Sequence, residues 1–395
     1  MGRIFRKLQL ASGINLYCWI CVAALVAGTG AVARENYPNG FPDNADFFPI
    51  GVWLQSPARA PLYKAIGINT YVNLWRGPTE KQLADLAKYG MFAITPQNDV
   101  ALQSPNRAII KAWLHQDEPD NAQPIGHGRY GSCVPAIEVV RRTHEMRARD
   151  STRPVMLNFG QGVANEYWRG RGPCTNDRGY YAIAARDVDI LSFDIYPVGS
   201  KTPQVKGKLE YVARGVARLK SLAKSDQAVW AVIETTALDP GHAVTPAQLR
   251  AEVWMAIIHG ARGIVYFVHE FLPTFREDGI FRYADIVKEV AKENKLIQSM
   301  APILNVSDLS GAVTVQSTVP IDTLVKRYNN KIYIFAVSMA TKASQPRFTL
   351  KGLDATKALV VDEDRTLTIT QSTFQDSFDG YGVHIYEVPL RGSDN

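Results

Sequence analysis

The feature that most constrains the fold of this chain is a regular alternation of short apolar runs and amphipathic stretches over residues 48–301. Runs such as AVWAVI and GIVYFV are apolar throughout, which is typical of parallel strands covered on both faces. The predicted strands are Pro49–Leu54, Ile68–Leu74, Phe92–Thr95, Ile109–His115, Pro154–Phe159, Ile190–Ile195, Val229–Ile233 and Gly263–Val268.

The stretches between these runs have the spacing of helices. Thr79–Tyr89 places Leu83 and Leu86 on one face, and Thr245 opens a capping box with proline at the first helical position. Only the third helix, near Ser104–Arg107, has a weak pattern. Eight such units in roughly 250 residues match a (β/α)8 TIM barrel. The competing doubly wound sheet usually has a glycine-rich loop after its first strand, and GVWLQSPA is not one.

The pattern changes after residue 301. Seven short alternating runs follow in residues 302–395, with turn signals such as Asn329-Asn330 and Asp379-Gly380 between them. This pattern predicts a small C-terminal antiparallel β-sandwich. The predicted organisation is therefore a targeting segment over 1–33, a catalytic (β/α)8 barrel over 34–301 and the β-sandwich over 302–395.

Residues 1–33 have the composition of a secretory signal peptide. Arg3, Arg6 and Lys7 precede an apolar run of residues 14–27, and Ala31-Val32-Ala33 fits a cleavage site. The run is short for a membrane span of about 20 residues, although an uncleaved anchor is the alternative. We therefore expect a secreted or periplasmic protein that is free of the membrane after cleavage.

Charge and histidine spacing exclude two classes of partner. Lys and Arg number 44 and Asp and Glu number 38, and no basic cluster is interleaved with aromatic residues, so a nucleic acid partner is not expected. None of the seven histidines has the spacing of a metal motif, so we expect neither a metal nor another cofactor. The sequence does not indicate an oligomeric state.

Two cysteines, Cys133 and Cys174, remain after the signal peptide. They lie in long loops after the fourth and fifth predicted strands, and adjacent strands place these loops side by side. In an oxidising compartment an even pair favours a disulfide, and two free buried thiols are the alternative.

Polar and aromatic side chains follow the predicted strands at their C-terminal ends, where barrels of this type bind and act. Carboxylates can act at a glycosidic bond, aromatic faces stack on sugar rings, and amides bind hydroxyls. The candidate substrate-binding residues are Trp53, Asn73, Trp75, Asp117, Asn158, Asp194, Tyr196 and His269.

Glu118 and Glu234 are the candidate catalytic residues. Each ends an apolar run, where an unpaired carboxylate is costly to bury. They lie 116 residues apart, which fits strands 4 and 7 on opposite sides of the barrel mouth. A retaining glycosidase needs two carboxyl groups about 5–5.5 Å apart, one as acid/base and one as nucleophile.

Two motifs resemble the clan A glycoside hydrolases, the 4/7 superfamily of TIM-barrel retaining enzymes. WLHQDEP at 113–119 looks like the acid/base strand, and VIET at 232–235 looks like the nucleophile strand. Tyr196 is similar to an aromatic residue that often borders the nucleophile. The resemblance implies a retaining O-glycosidase for a poly- or oligosaccharide, with Glu118 as acid/base and Glu234 as nucleophile.

The chain departs from the clan pattern at two places. Clan members usually have asparagine before the acid/base residue, and here it is Asp117, whose charge would raise the pKa of Glu118. The usual tryptophan after strand 8 is absent, which leaves Phe267 or His269 in its place. Two alternatives therefore stay open: a non-catalytic carbohydrate-binding protein on the same barrel, and an inverting glycosidase that uses Asp194 or Glu270.

The signal peptide generates the first prediction. Protein exported by its host should begin near Arg34, because a leader peptidase cuts after small residues such as Ala33. Intact-mass spectrometry of the exported protein measures this directly. A full-length chain held in the membrane fraction would support the uncleaved anchor instead.

Overall fold

The computed structural model describes residues 37–168, 177–238 and 242–391. Its first part is a closed barrel of eight parallel strands, each hydrogen-bonded to its sequence neighbours, with the first strand paired to the last. The strands are β1 Ile50–Trp53, β2 Thr70–Val72, β3 Phe92–Thr95, β4 Ile110–Leu114, β5 Val155–Phe159, β6 Ile190–Asp194, β7 Ala228–Glu234 and β8 Ile264–Phe267. The TIM barrel predicted from the alternation is confirmed.

Eight helices follow the strands and cover the outside of the barrel. They are α1 Ala60–Ala65, α2 Glu80–Lys88, α3 Asp99–Gln103, α4 Ala136–Arg149, α5 Arg178–Ala184, α6 Glu210–Leu222, α7 Pro246–Ile258 and α8 Ala284–Leu304. Capping boxes at Thr79 and Thr245 start α2 and α7 as their sequences predict. The third helix lies earlier than 104–107 because the Asn98 side chain accepts a hydrogen bond from the Ala101 N–H and starts it there.

The barrel interior is packed with side chains up to its mouth. Val72, Ile94, Met156 and Val265 point inward from four strands and are fully buried. At the opposite end Phe41 packs on Trp230, with ring centroids 5.5 Å apart, and closes the bottom. A ligand can therefore enter only from the C-terminal ends of the strands.

The C-terminal part consists of two antiparallel sheets, as the alternating runs predict. Its strands are β9 Val313–Gln316, β10 Ile321–Tyr328, β11 Lys331–Ser338, β12 Arg347–Leu350, β13 Lys357–Val360, β14 Arg365–Thr368, β15 Thr373–Gln375 and β16 Val383–Pro389. The order is β9-β12-β15 in one sheet and β10-β11-β16-β13-β14 in the other. Seven strands were expected; β15, only three residues long, is the additional one.

The larger sheet packs directly on the barrel helices. Phe335 on β11 stacks on Trp254 of α7 with ring centroids 5.4 Å apart. Both side chains are fully buried and belong to the same apolar core as the outer faces of the barrel strands. A shared core of this kind fixes the β-sandwich against the barrel.

Some predictions fall outside the described residues. The signal peptide and its cleavage site lie in residues 1–36, and Cys174 lies in 169–176, so cleavage and the disulfide to Cys133 stay predictions. Within the described parts of the chain, no helix combines the length and apolar character needed to cross a membrane.

Candidate active site

A cavity of about 490 Å³ opens at the C-terminal ends of the barrel strands. Three of its lining residues, Asp117, Glu118 and Asp194, carry carboxyl groups, and we call it the carboxyl cavity. Within residues 37–168, 177–238 and 242–391, no lysine or arginine lines it. Its lining residues are Trp53, Asp117, Glu118, Asn158, Asp194, Tyr196, Val232, Leu238, Phe267 and Phe271.

Asn158 holds two of these carboxyl groups together. Its Nδ2 donates to Oδ1 of Asp117 and to Oδ1 of Asp194, each at 3.0 Å. The two oxygens therefore lie no more than 6.0 Å apart, since both are bound to one nitrogen. The Ser192 hydroxyl donates to Asn158 Oδ1 at 2.8 Å and fixes the orientation of the amide. Asn158 thus acts as a bridge between the ends of β4 and β6.

Burial and mutual repulsion raise the pKa values of this cluster. Asp117 lies at the open side of the cavity, and the partial loss of water around it together with the Glu118 charge raises its pKa to about 7. Burial, Glu118 and Asp117 raise the pKa of Asp194 well above its usual range. The sequence predicted repulsion between Asp117 and Glu118. In the structure this repulsion raises the pKa of Asp117. Near neutral pH the cluster therefore holds both a proton donor and a carboxylate.

Glu118 is held in an unusual backbone conformation. Its φ is 41°, in the left-handed region, and its N–H donates to the Asn158 carbonyl at 3.0 Å. Asn121 Nδ2 donates to its Oε2 at 2.8 Å and fixes the position of the carboxyl group. Asp120 secures the same turn by accepting from the Gly160 N–H at 2.9 Å and the Tyr181 hydroxyl at 3.0 Å. Sequence reasoning missed Asp120 and Asn121, although both belong to the DEPDN stretch.

Glu234, the second predicted catalytic residue, does not line the carboxyl cavity, nor does it line the neighbouring cavity around Trp75. Its side chain is fully buried. Oε1 accepts from the Val198 N–H at 2.6 Å and Oε2 accepts from the Gly199 N–H at 2.9 Å, both in the loop after β6. Leu238, which does line the carboxyl cavity, packs against the same glycine. Glu234 therefore lies behind the cavity wall, between the β6 loop and α7.

A second buried acid, Glu252 on α7, is hydrogen-bonded to Glu234. The Glu234 N–H also faces this carboxyl group; because two ionised carboxylates cannot donate to each other, a hydrogen bond between the two side chains requires one shared proton. Burial raises the pKa of Glu234 to about 7, and burial with the Glu234 charge raises the pKa of Glu252 well above its usual range. No sequence motif marks this pair, because Glu252 lies within a regular helical pattern.

Tyr196 lies where the resemblance expects an aromatic neighbour, but it contacts a different acid. It is hydrogen-bonded to Asp194, and its ring lies 5.0 Å from that of Phe267 between centroids. Phe267 is the last residue of β8 and lines the same cavity. Tyr196 therefore holds Asp194 at one side of the cavity.

A second cavity of about 660 Å³ lies beside the carboxyl cavity, and Trp53, Phe267 and Phe271 line both. We call it the aromatic cavity. Two more of the predicted substrate-binding residues, Trp75 and His269, line it. Its lining residues are Trp53, Leu54, Gln55, Ser56, Trp75, Gln82, Phe267, His269, Phe271, Phe275 and Glu277.

Two other candidates are engaged elsewhere. The Asn73 side chain accepts a hydrogen bond from the Leu74 N–H at 2.9 Å, and Asn73 lines neither cavity. Glu270 accepts from Arg282 at 2.9 Å and from the Tyr283 hydroxyl at 2.7 Å. Within the described ranges no group of three or more His, Cys, Asp or Glu has the arrangement of a metal site.

Comparison with known proteins adds support for the fold. No protein-family model matches the chain, and no curated protein matches its sequence. Among solved structures, it is similar to AmyP in complex with maltose, at 10% identity over 88% of this chain and 98% of that chain, with a TM-score of 0.55.

Two α-galactosidase structures are similar to the same extent. One is a putative enzyme from Bacteroides fragilis, at 11% identity over 87% of this chain and 79% of that chain, with a TM-score of 0.54. The other is α-galactosidase I from Mortierella vinacea, at 11% identity over 87% and 97%, with a TM-score of 0.53. These similarities confirm a barrel followed by a β-domain, the fold that the resemblance implied.

The shared proton of Glu234 and Glu252 predicts how stability depends on pH. In the unfolded chain both glutamates ionise near pH 4.3, whereas in the folded protein their pKa values are raised. Above pH 4.3 the folded protein therefore holds more protons than the unfolded chain. The free energy of unfolding falls as pH rises through 7, by up to about 1.4 kcal/mol per pH unit for each extra proton held.

Glu252→Gln tests this dependence, because the amide donates to Glu234 without needing a proton. Urea unfolding between pH 5.5 and 8.5 should show a fall in stability at least ~1 kcal/mol smaller than in the wild type. Asp85→Asn, at an exposed ion pair with Lys81, is the control and should keep the wild-type dependence. An unchanged dependence in Glu252→Gln would contradict the shared proton.

Proposed function

We propose that the protein hydrolyses O-glycosidic bonds in the carboxyl cavity. The observation that carries this proposal is the convergence of Asp117, Glu118 and Asp194 in one cavity at the barrel mouth. Glycoside hydrolysis needs a protonated carboxyl group and a carboxylate on two sides of the bond. The aromatic side chains of Trp53 and Phe267 in the same cavity provide faces for a sugar ring.

In this proposal Asp194 is the proton donor and Glu118 the carboxylate that attacks. The raised pKa of Asp194 keeps its proton near neutral pH, whereas Glu118 accepts a hydrogen bond from the Asn121 amide, which holds its carboxyl group in place. Asp194 protonates the leaving oxygen as the anomeric C–O bond breaks, and Glu118 forms the glycosyl-enzyme. Asp194 then takes a proton from water, which hydrolyses that ester with net retention.

The resemblance to clan A assigns the roles differently, with Glu118 as acid/base and Glu234 as nucleophile. Glu234 is fully buried and both of its oxygens accept backbone hydrogen bonds. To reach an anomeric carbon it would have to leave these bonds and displace Leu238 from the cavity wall. We therefore favour Asp194 as the partner of Glu118, and place Glu234 in a supporting position.

The remaining cavity residues would bind the substrate. Asp117 offers a third carboxyl group to sugar hydroxyls, and Asn158, whose amide is bound to Asp117, Asp194 and Ser192, holds that group in place. No cofactor takes part in these steps. Export through the signal peptide would place the enzyme in a secreted or periplasmic compartment, where poly- and oligosaccharides are accessible.

Three substitutions separate the assignments. On a panel of natural glycosides Asp194→Asn should lower kcat/KM about 10²–10⁴-fold, because the leaving oxygen loses its proton donor. On 4-methylumbelliferyl glycosides, whose leaving group needs little protonation, the loss should be at least tenfold smaller. Glu118→Ala should abolish turnover of both classes, and azide should restore part of it. Glu234→Gln should stay within about tenfold of the wild type.

Asp99→Asn, which removes an exposed carboxylate far from the cavity, is the matched control and should leave kcat/KM unchanged. Product stereochemistry by NMR should show retention. Rescue of Glu234→Ala by azide, with no rescue of Glu118→Ala, would return the nucleophile to Glu234. Inversion of the product would refute the double displacement.

The burial of Glu234 favours one further candidate, a carbohydrate-binding protein that has lost turnover. In that case the glycosidase nucleophile of the clan would be retained only as a structural acid. Saturable binding of a glycan without any release of product over days would support this candidate against hydrolysis.

A further inference from the structure

The aromatic cavity differs in chemistry from the carboxyl cavity beside it. The side chains of Trp53, Trp75, Phe267, Phe271 and Phe275 form most of its apolar surface. Rings in the segment after β8 lie against one another: centroids are 6.1 Å apart for Phe267 and Phe271, and 5.8 Å apart for Phe271 and Phe275. The cavity therefore presents a continuous aromatic surface next to the proposed site of bond cleavage.

The amide groups in this cavity are already bound within the protein. Gln55 Nε2 donates to the Glu277 carbonyl at 2.7 Å, and Gln55 Oε1 accepts from the Tyr63 hydroxyl at 2.6 Å. Gln82 Nε2 donates to the Trp75 carbonyl at 3.0 Å, and Gln82 Oε1 accepts from the Thr79 N–H at 2.9 Å. Neither amide is available to a ligand without losing these bonds.

The carboxylate and the imidazole that line this cavity are each engaged through one atom. One carboxylate oxygen of Glu277 accepts from the Ser56 N–H. His269 Nε2 is hydrogen-bonded to the Leu54 carbonyl at 3.2 Å, and burial lowers the pKa of this histidine, so it stays neutral. A second sugar unit would bring several hydroxyls into this cavity. Few donors and acceptors remain for those hydroxyls, whereas the ring surface is extensive, so the cavity favours an apolar group over a second sugar unit.

An aromatic or other apolar group suits the same surface. Trp75 and Phe275 are 63% and 61% exposed, which is unusual for such large apolar side chains. Covering them removes apolar area from water and places ring against ring. A volume of about 660 Å³ is within the range of small-molecule sites.

We propose that the aromatic cavity binds an apolar aglycone, so that the substrate is a mono- or oligosaccharide linked to an aromatic alcohol. This inference rests on the proposed hydrolase function. The aglycone takes the place that a further sugar unit would occupy on the leaving-group side. The sugar occupies the carboxyl cavity, and the aglycone lies across Phe267 and Phe271 toward Phe275. Cleavage breaks the bond between the anomeric carbon and the aglycone oxygen, which leaves with a proton as the free alcohol, while water supplies the hydroxyl of the sugar.

Binding of 2-naphthol to the intact protein tests the cavity without any need for turnover. Isothermal titration should give a saturable Kd for the wild type. Phe275→Ala and Trp75→Ala should each weaken binding about tenfold or more. Ile137→Ala, which truncates an equally exposed apolar side chain on α4, is the matched control and should leave Kd unchanged. Phe275→Leu, which keeps apolar area, should fall between Phe275→Ala and the wild type.

A kinetic arm separates failure of the aglycone from failure of the hydrolase. On 4-methylumbelliferyl glycosides Phe275→Ala should raise KM about tenfold with little change in kcat, and Asp194→Asn should keep the wild-type Kd for 2-naphthol. Binding of 2-naphthol without turnover of any glycoside would support the cavity and overturn the proposed hydrolase. Turnover of oligosaccharides that is insensitive to Phe275→Ala, or no 2-naphthol binding, would overturn the aglycone inference and leave the hydrolase standing.

Discussion

The cost of holding several carboxyl groups close together governs the whole barrel mouth. Among the described residues, no lysine or arginine lines the carboxyl cavity. The repulsion between the carboxyl groups is offset instead by the Asn158 amide, by backbone N–H groups and by shared protons. Each acid therefore depends on a neighbour that the chain supplies from a different strand or loop. That dependence makes the site a coupled unit, in which one protonation state is set by the others.

This coupling also explains how much of the site could be predicted from the sequence. The period of apolar residues predicts the strands and most helices, and the polar residues that follow each strand come to one end because parallel strands share direction. The direction of a side chain at a strand end depends on its surroundings. Glu234 ends β7 as predicted, but the Val198 and Gly199 N–H groups and Glu252 draw it behind the wall.

Other differences between the prediction and the structure have equally local causes. The bridge at Asn158 needs the register of β5 against β6, which places it beside Ser192, and no motif encodes that pairing. The three-residue strand β15 is too short to show a period of two, although its Phe374 stacks on Phe348 with centroids 4.8 Å apart. The position of α3 followed from a single cap at Asn98. Long periodic elements are visible in the sequence, whereas short and side-chain-determined ones need the assembled fold.

The left-handed backbone at Glu118 indicates what this position is adapted for. A φ of 41° costs a residue with a side chain about 1–2 kcal/mol relative to glycine, and asparagine or aspartate adopts it more readily than glutamate. A sequence optimised only for folding would not choose glutamate there. The glutamate side chain is one methylene longer than that of aspartate, so its carboxyl group reaches further into the cavity. If Glu118 acts as proposed, residue 118 is a position where the most stable backbone and the reaction require different residues, and the reaction determines the choice.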